Sequence, residues 1–186
     1  MKNNYLLSID GSTTASGWSI IDKDTFELID YGVYEKDRKD EPILRNRVIY
    51  MIDGIKEVIE KFNPCEIVME DVPPSVQNSM TVLALGILSG GVLGLAHSKN
   101  IPIKYISVAT WHSALNFYDG TAKGKETDNM KQQSIKFANE KYGLNLIYKS
   151  ASSKFNMDNQ SDSICIGCFY LENYIKKEPK KKLMRK

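Results

Sequence analysis

Four carboxylates, Asp10, Glu70, Asp158 and Asp162, stand where they could do chemistry together. Asp10 ends the apolar run Tyr5-Leu6-Leu7-Ser8-Ile9 and is followed at once by Gly11-Ser12-Thr13-Thr14. Glu70 ends a second apolar run, Ile67-Val68-Met69. Asp158 and Asp162 lie four apart at the start of a helical pattern, so both face the same way. An ionised carboxylate at the tip of a buried strand is costly unless a cation sits beside it. An all-oxygen donor set suits a hard divalent ion, with Mg²⁺ the first expectation and Mn²⁺ a substitute. Two such ions, roughly 3.5–4 Å apart, could lower the pKa of an attacking water and stabilise the leaving 3′ oxygen of a phosphodiester. Taken singly, each acid reads better as a strand-end or helix N-terminal charge. As a set in this order, they read as a metal-dependent phosphodiesterase centre.

The elements that must position these acids follow from the pattern. Tyr5 to Ile9, Ala15 to Ile21 and roughly Glu27 to Tyr34 read as three strands joined by short turns, an antiparallel meander. Pro42 opens an amphipathic helix with Val48, Met51, Ile52, Ile55, Val58, Ile59 and Phe62 at helical spacing, stopped by Asn63-Pro64. Cys65 to Met69 reads as a fourth strand, apolar enough to be buried on both faces. After Pro73-Pro74, Asn78 to Ser98 reads as a glycine-containing buried helix, and Ile103 to Ile106 as a fifth strand. Ser107 is an N-cap candidate for a short helix through Leu115. Asp119 to Asn129 reads as a charged loop, Met130 to Tyr142 as a helix capped by Gly143, and Asp158 to about Ile175 as a final helix. The fold class is therefore α/β: a mixed five-stranded sheet, three strands in a meander and two more, flanked by helices.

Composition is consistent with one domain, since 186 residues at 42% hydrophobic content can close a full-sized core. The expected division is a domain over 1–175 and a basic tail over 176–186. Net charge is only +2, but the tail holds Lys180, Lys181 and Lys182 and leaves a slightly acidic body. Such a tail is either a solvated end or a phosphate-binding arm. Three cysteines, an odd number, suit a reducing compartment. The apolar stretch from Val82 to Ala96 falls short of the roughly 20 residues of a membrane span. With no signal sequence visible, a soluble cytoplasmic protein is expected.

The segment Asp10-Gly11-Ser12-Thr13-Thr14-Ala15-Ser16-Gly17-Trp18 resembles the opening motif of the RuvC family of Holliday-junction resolvases, which have an RNase H-like fold. Ile67-Val68-Met69-Glu70, the small-residue helix, Lys104-Tyr105-Ile106-Ser107-Val108-Ala109-Thr110-Trp111 and Asp158-Asn159-Gln160-Ser161-Asp162 continue it in order. The last looks like the closing motif of phage-type members. The resemblance implies a homodimeric, Mg²⁺-dependent endonuclease of a bacterial cell or phage-infected host that nicks four-way junctions symmetrically. By position Asp10 would bridge both metals, Glu70 would hold one and Asp162 the other. Asp158 would ligate directly or through water; family members usually place this acid where the chain has Asn159. Lys123, Lys125 and Lys131 sit where the family places phosphate-contacting lysines. Three positions after the glutamate the cellular family has an aromatic residue, and this chain has Pro73.

Other readings remain open on sequence alone. An RNase H-like nuclease of RNA or RNA–DNA hybrids would use the same acids. A non-cleaving module for branched DNA would not need all of them. An ATPase domain of the actin and Hsp70 group could share the Asp10-Gly11-Ser12 turn, but needs two such domains and leaves Asp158 and Asp162 unexplained. Cys165, Cys168, His97, His112 and Trp111 read as structural. Gly86, Gly90 and Gly94 could serve internal packing or a dimer interface.

Overall fold

Strand β1 (Tyr5–Asp10) shows how the sheet acquires two packed faces. Successive side chains on a strand point to opposite sides, so Leu7 and Ile9 enter one core while Leu6 enters the other. The computed structural model describes residues 4–72, 78–117, 127–150 and 153–175. Two antiparallel neighbours follow β1, namely β2 (Ala15–Asp22) and β3 (Leu28–Glu35). After helix α1 (Leu44–Phe62), strand β4 (Glu66–Glu70) pairs parallel to β1. Helix α2 (Ser79–Ser98) leads to β5 (Ile103–Ile106), parallel to β4. The sheet order is β3-β2-β1-β4-β5, the mixed five-stranded arrangement expected. Helices α3 (Val108–Ala114), α4 (Thr127–Tyr142) and α5 (Asp158–Tyr170) complete the fold, and α5 runs on into a π-helical turn over Leu171–Ile175.

Local chemistry accounts for the boundaries. Asn63 takes a left-handed conformation at the end of α1, and its N–H bonds to the Ile59 carbonyl. Asn78 caps α2 by accepting from the N–H groups of Met80 and Thr81, and Ser107 caps α3 through Thr110. One core packs α1 and α2 on the face carrying Leu7, Ile20 and Ile67. The other packs α5, Trp111 and Phe117 against Leu6, Ile21 and Val68. Cys165 and Cys168 are buried there as expected. His112 is also buried, and desolvation lowers its pKa to about 4.

The expectation of a buried α2 is corrected. Its Ala84, Leu88, Val92 and Ala96, one row at four-residue spacing, are buried. Leu83, Ile87 and Leu93 on the same helix are about half exposed, at 54%, 51% and 46%. At 20 residues the helix has the length and composition to cross a membrane, yet its buried row belongs to the core formed with α1 and the sheet. Hydrophobicity alone could not tell a helix buried by its own chain from one with a face left over.

Candidate active site at the carboxyl ends of β1 and β4

Parallel pairing sets the first two acids side by side. Ile9 is the register partner of Met69, so Asp10 and Glu70 are the next residues on adjacent strands, whose spacing is about 4.8 Å. Both leave the sheet at its carboxyl edge, where open α/β sheets place their sites. The other two acids arrive on α5, which starts at Asp158. Glu70, Asp162 and Asp158 each act on Asp10 electrostatically, and all three push its pKa up.

Small residues let α5 come this close. Gly17 is the register partner of Asp10, and a Cβ built on it would lie 1.9 Å from the Asn159 carbonyl oxygen. Further along, the Ser8 and Ser19 hydroxyls meet at 2.6 Å and Ser19 donates to the Ser163 carbonyl at 3.2 Å. A Cβ on Gly167 would lie 2.5 Å from Ser8 Oγ. The start of α5 is thus seated on β1 and β2 through backbone and hydroxyl contacts.

The turn after Asp10 is held as firmly. Ser16 Oγ donates to the Ser12 carbonyl at 2.6 Å and accepts from the Ser12 N–H at 3.1 Å. From α1, the buried Arg47 donates to the carbonyls of Thr13 and Glu41, at 3.3 and 2.7 Å. Gly11 has a packing reason, since a Cβ there would press on the Met69 methyl group.

Burial and mutual repulsion dominate the electrostatics. Desolvation, followed by the charges of Glu70, Asp162 and Asp158, holds Asp10 well above the usual carboxylate range. Burial lifts Glu70 to about 7, opposed by the Trp111 indole N–H, which donates to Glu70 Oε2 at 3.1 Å. Burial likewise lifts Asp162 to about 7; the Ser134 hydroxyl opposes this, and the Asp158 and Glu70 charges add to it. The nearby counter-charge is Lys131, 2.5 Å from Asp158. Among the described residues, no three His, Cys, Asp or Glu side chains are gathered closely enough to hold an ion as they stand. Repulsion between like charges disfavours that gathering until positive charge is supplied.

Sequence reasoning named four acids, and the fold brings them near enough to act on one another electrostatically. It missed Gly17, Arg47 and Ser134, and it treated Trp111 as core alone. Trp111 is buried at 1% exposure, and a buried indole N–H needs a partner, which was the available signal. Lys131 is at the site, on Asp158. Lys123, Lys125, Lys180, Lys181, Lys182 and Pro73 lie outside the described residues. Trp111→Phe should leave the fold intact, free Glu70 of its donor and weaken metal binding about tenfold or more, as loss of a ligand's hydrogen-bond partner does. A Mg²⁺ titration of cleavage, with calorimetry of Mn²⁺ binding, checks this; an unchanged metal affinity would make the hydrogen bond incidental.

Comparison with known proteins bears on the family and the fold. Residues 6–140 match the protein family described as crossover junction endodeoxyribonuclease RuvC. A curated relative, the RuvC of Rickettsia felis, is 28% identical over 101 residues, spanning 53% of this chain and 63% of that protein. Among solved structures, Thermus thermophilus RuvC in complex with a Holliday junction substrate superposes with a TM-score of 0.66 at 16% identity, over 90% of this chain and 94% of that one. Fowlpox virus resolvase, solved with Holliday junction DNA, gives 0.53 at 15% identity, over 90% and 97%. These likenesses establish the RNase H-like fold.

Proposed function

Because the chain belongs to the crossover junction endodeoxyribonuclease RuvC family, we propose that it cuts four-way DNA junctions, and related branched DNA, by metal-dependent phosphodiester hydrolysis. The observation that carries this is the meeting of Asp10, Glu70, Asp158 and Asp162 at one sheet edge, desolvated and mutually repelling. Four carboxylates, faced among the described residues by the ammonium of Lys131, form a donor set that fits hard divalent cations. Asp10, Glu70 and Asp162 would hold Mg²⁺, two ions per site, with Asp158 as a further ligand. When bound, the metal supplies an activated water and neutralises charge on the leaving oxygen.

The chain's own residues do the rest. Gly17 and the serine seam fix the start of α5 relative to Asp10. Trp111 orients Glu70, and Arg47 steadies the turn that follows Asp10. Lys131, held at the rim by Asp158, can meet a substrate phosphate. Lys123, Lys125 and the tail lysines Lys180, Lys181 and Lys182 would add sequence-independent phosphate contacts. The proposed setting is the cytoplasm of a bacterial or phage-infected cell.

Symmetric nicking needs two sites, and α2 offers the surface for a second copy. Leu83 and Ile87 are exposed, and a Cβ added at Gly86, Gly90 or Gly94 would meet nothing within 4 Å. Ile87→Glu should therefore leave the monomer folded and shift the protein from dimer to monomer in light scattering. Paired nicks on opposite strands should become uncoupled single nicks. A dimer that persisted unchanged would place the interface elsewhere.

The test of function is cleavage of a labelled four-way junction beside duplex, single-strand and RNA–DNA hybrid controls, with and without Mg²⁺. Paired, metal-dependent nicks near the branch point support resolution. Cutting of the hybrid in place of the junction would move the function to RNA processing.

A further inference from the structure

An exposed aromatic ring is the feature that the acidic centre does not use. Phe155 is 61% exposed, yet the chain around it is closely held. Asn156, buried beneath it, accepts the Lys149 N–H at 2.9 Å and donates to the Ser150 carbonyl at 2.8 Å. The Met157 N–H bonds to the Ile147 carbonyl at 2.9 Å, and the Phe155 N–H to Ser153 Oγ at 3.2 Å. The ring is thus presented to solvent by an anchored segment. Two ammonium groups attend it, Lys149 Nζ at 4.6 Å and Lys154 Nζ at 5.6 Å from its centroid. Phe155, Lys154, Lys131 and Asp158 line one groove of about 860 Å³, so the ring shares its solvent space with Asp158 at the start of α5. Glu35, Asp37, Asp40 and Arg38 also line the groove, and the three carboxylates would repel a phosphate chain.

We propose that Phe155, flanked by Lys149 and Lys154, is a stacking platform that takes an unpaired base of branched DNA beside the acidic centre. This deepens the branched-DNA reading above and rests on it. Every base offers a π-face, so an aromatic ring flanked by ammonium groups binds unstacked bases with little sequence preference. Stacking on a base is worth more than an exposed lysine over the ring. An arriving base therefore displaces the ammonium, which moves to the neighbouring phosphate. Bases inside a linear duplex are already stacked and would have to be extruded at a cost. Those at a branch point are freed more cheaply, so the platform favours branched over linear DNA.

The experiment uses the full chain carrying Asp10→Asn, to hold the complex uncut. Its ligand is a four-way junction with the fluorescent base analogue aminopurine at the branch point, and a linear duplex of the same sequence is the control. Phe155→Ala should weaken junction binding about tenfold or more and remove the stacking quench of the analogue, with duplex binding nearly unchanged. Phe155→Trp should restore both. Lys149→Ala with Lys154→Ala should weaken junction and duplex alike and flatten the salt dependence. Because the ring is exposed, the melting temperature of Phe155→Ala should match the parent, which separates this role from a structural one. A parent that binds the junction selectively, with affinity and quench unmoved in Phe155→Ala, overturns the platform and leaves the function standing. A parent that binds junction and duplex equally overturns the branched-DNA reading itself.

Discussion

Asp10→Asn should lower junction cleavage by on the order of a thousandfold or more, since loss of even one electrostatic contact to a transition state costs about 10²–10³. The same substitution should raise the melting temperature of the metal-free protein. Asp10 is half-buried and desolvated, and three other carboxylates act on it, so an amide removes a charge that the fold tolerates at a cost. For a chain of this size each kcal/mol recovered is worth about 2–4 °C. The pH dependence follows with a definite sign. Burial raises Glu70 from its usual 4.5, and Asp162 from 3.8, to about 7 in the folded state. Between those limits the native state binds more protons than the unfolded chain, so stability falls as pH rises through this window and levels off above it. Magnesium should reverse the trend by binding the ionised folded form. Thermal melts at acidic and alkaline pH, with and without Mg²⁺, check all of this. A metal-free Asp10→Asn protein that melts lower than the parent would mean Asp10 is a structural acceptor.

Gly17→Ala should be the most damaging single-methyl change near the site. The added carbon would lie 1.9 Å from the Asn159 carbonyl oxygen, a backbone atom that cannot swing aside. The start of α5 must then move off β2 and take Asp158 and Asp162 with it. Overpacking of this kind costs about 1–3 kcal/mol in stability. A displacement of about 1 Å at reacting groups costs about a hundredfold in rate. Cleavage should therefore fall further than the modest loss in melting temperature would suggest. Equal rates for Gly17→Ala and the parent would show that α5 need not be seated against β2 for the acids to work.

These two variants also mark what could be read from the chain. Asp10 and Glu70 were legible because a charged residue closing an apolar run breaks a strong local pattern, and Asp158 with Asp162 because helical spacing fixes a shared face. The antiparallel meander followed from the short turns between the first three strands, whereas the places of β4 and β5 beside β1 did not follow from any local signal. Gly17, Arg47 and Ser134 were not legible, because their roles depend on partners far away in sequence: Asn159, the Thr13 carbonyl and Asp162. The half-exposed face of α2 was misread for a related reason. Apolar side chains look the same whether the surface that covers them belongs to their own chain or to another.

The seat of α5 on β1 and β2 has a temporal consequence. The Asp10 strand emerges from the ribosome early, while its partners on Asp158–Tyr170 follow only after the four other strands and four helices have been made. At about 5–20 residues per second, a nascent chain spends several seconds with its sheet exposed and its acids incomplete. A product stopped before Asp158 should show no metal-dependent nicking in the junction assay. If the chain cuts DNA as proposed, α5 arms it only once Asp158 and Asp162 have been added to a sheet already made, and a shorter translation product would carry half a centre.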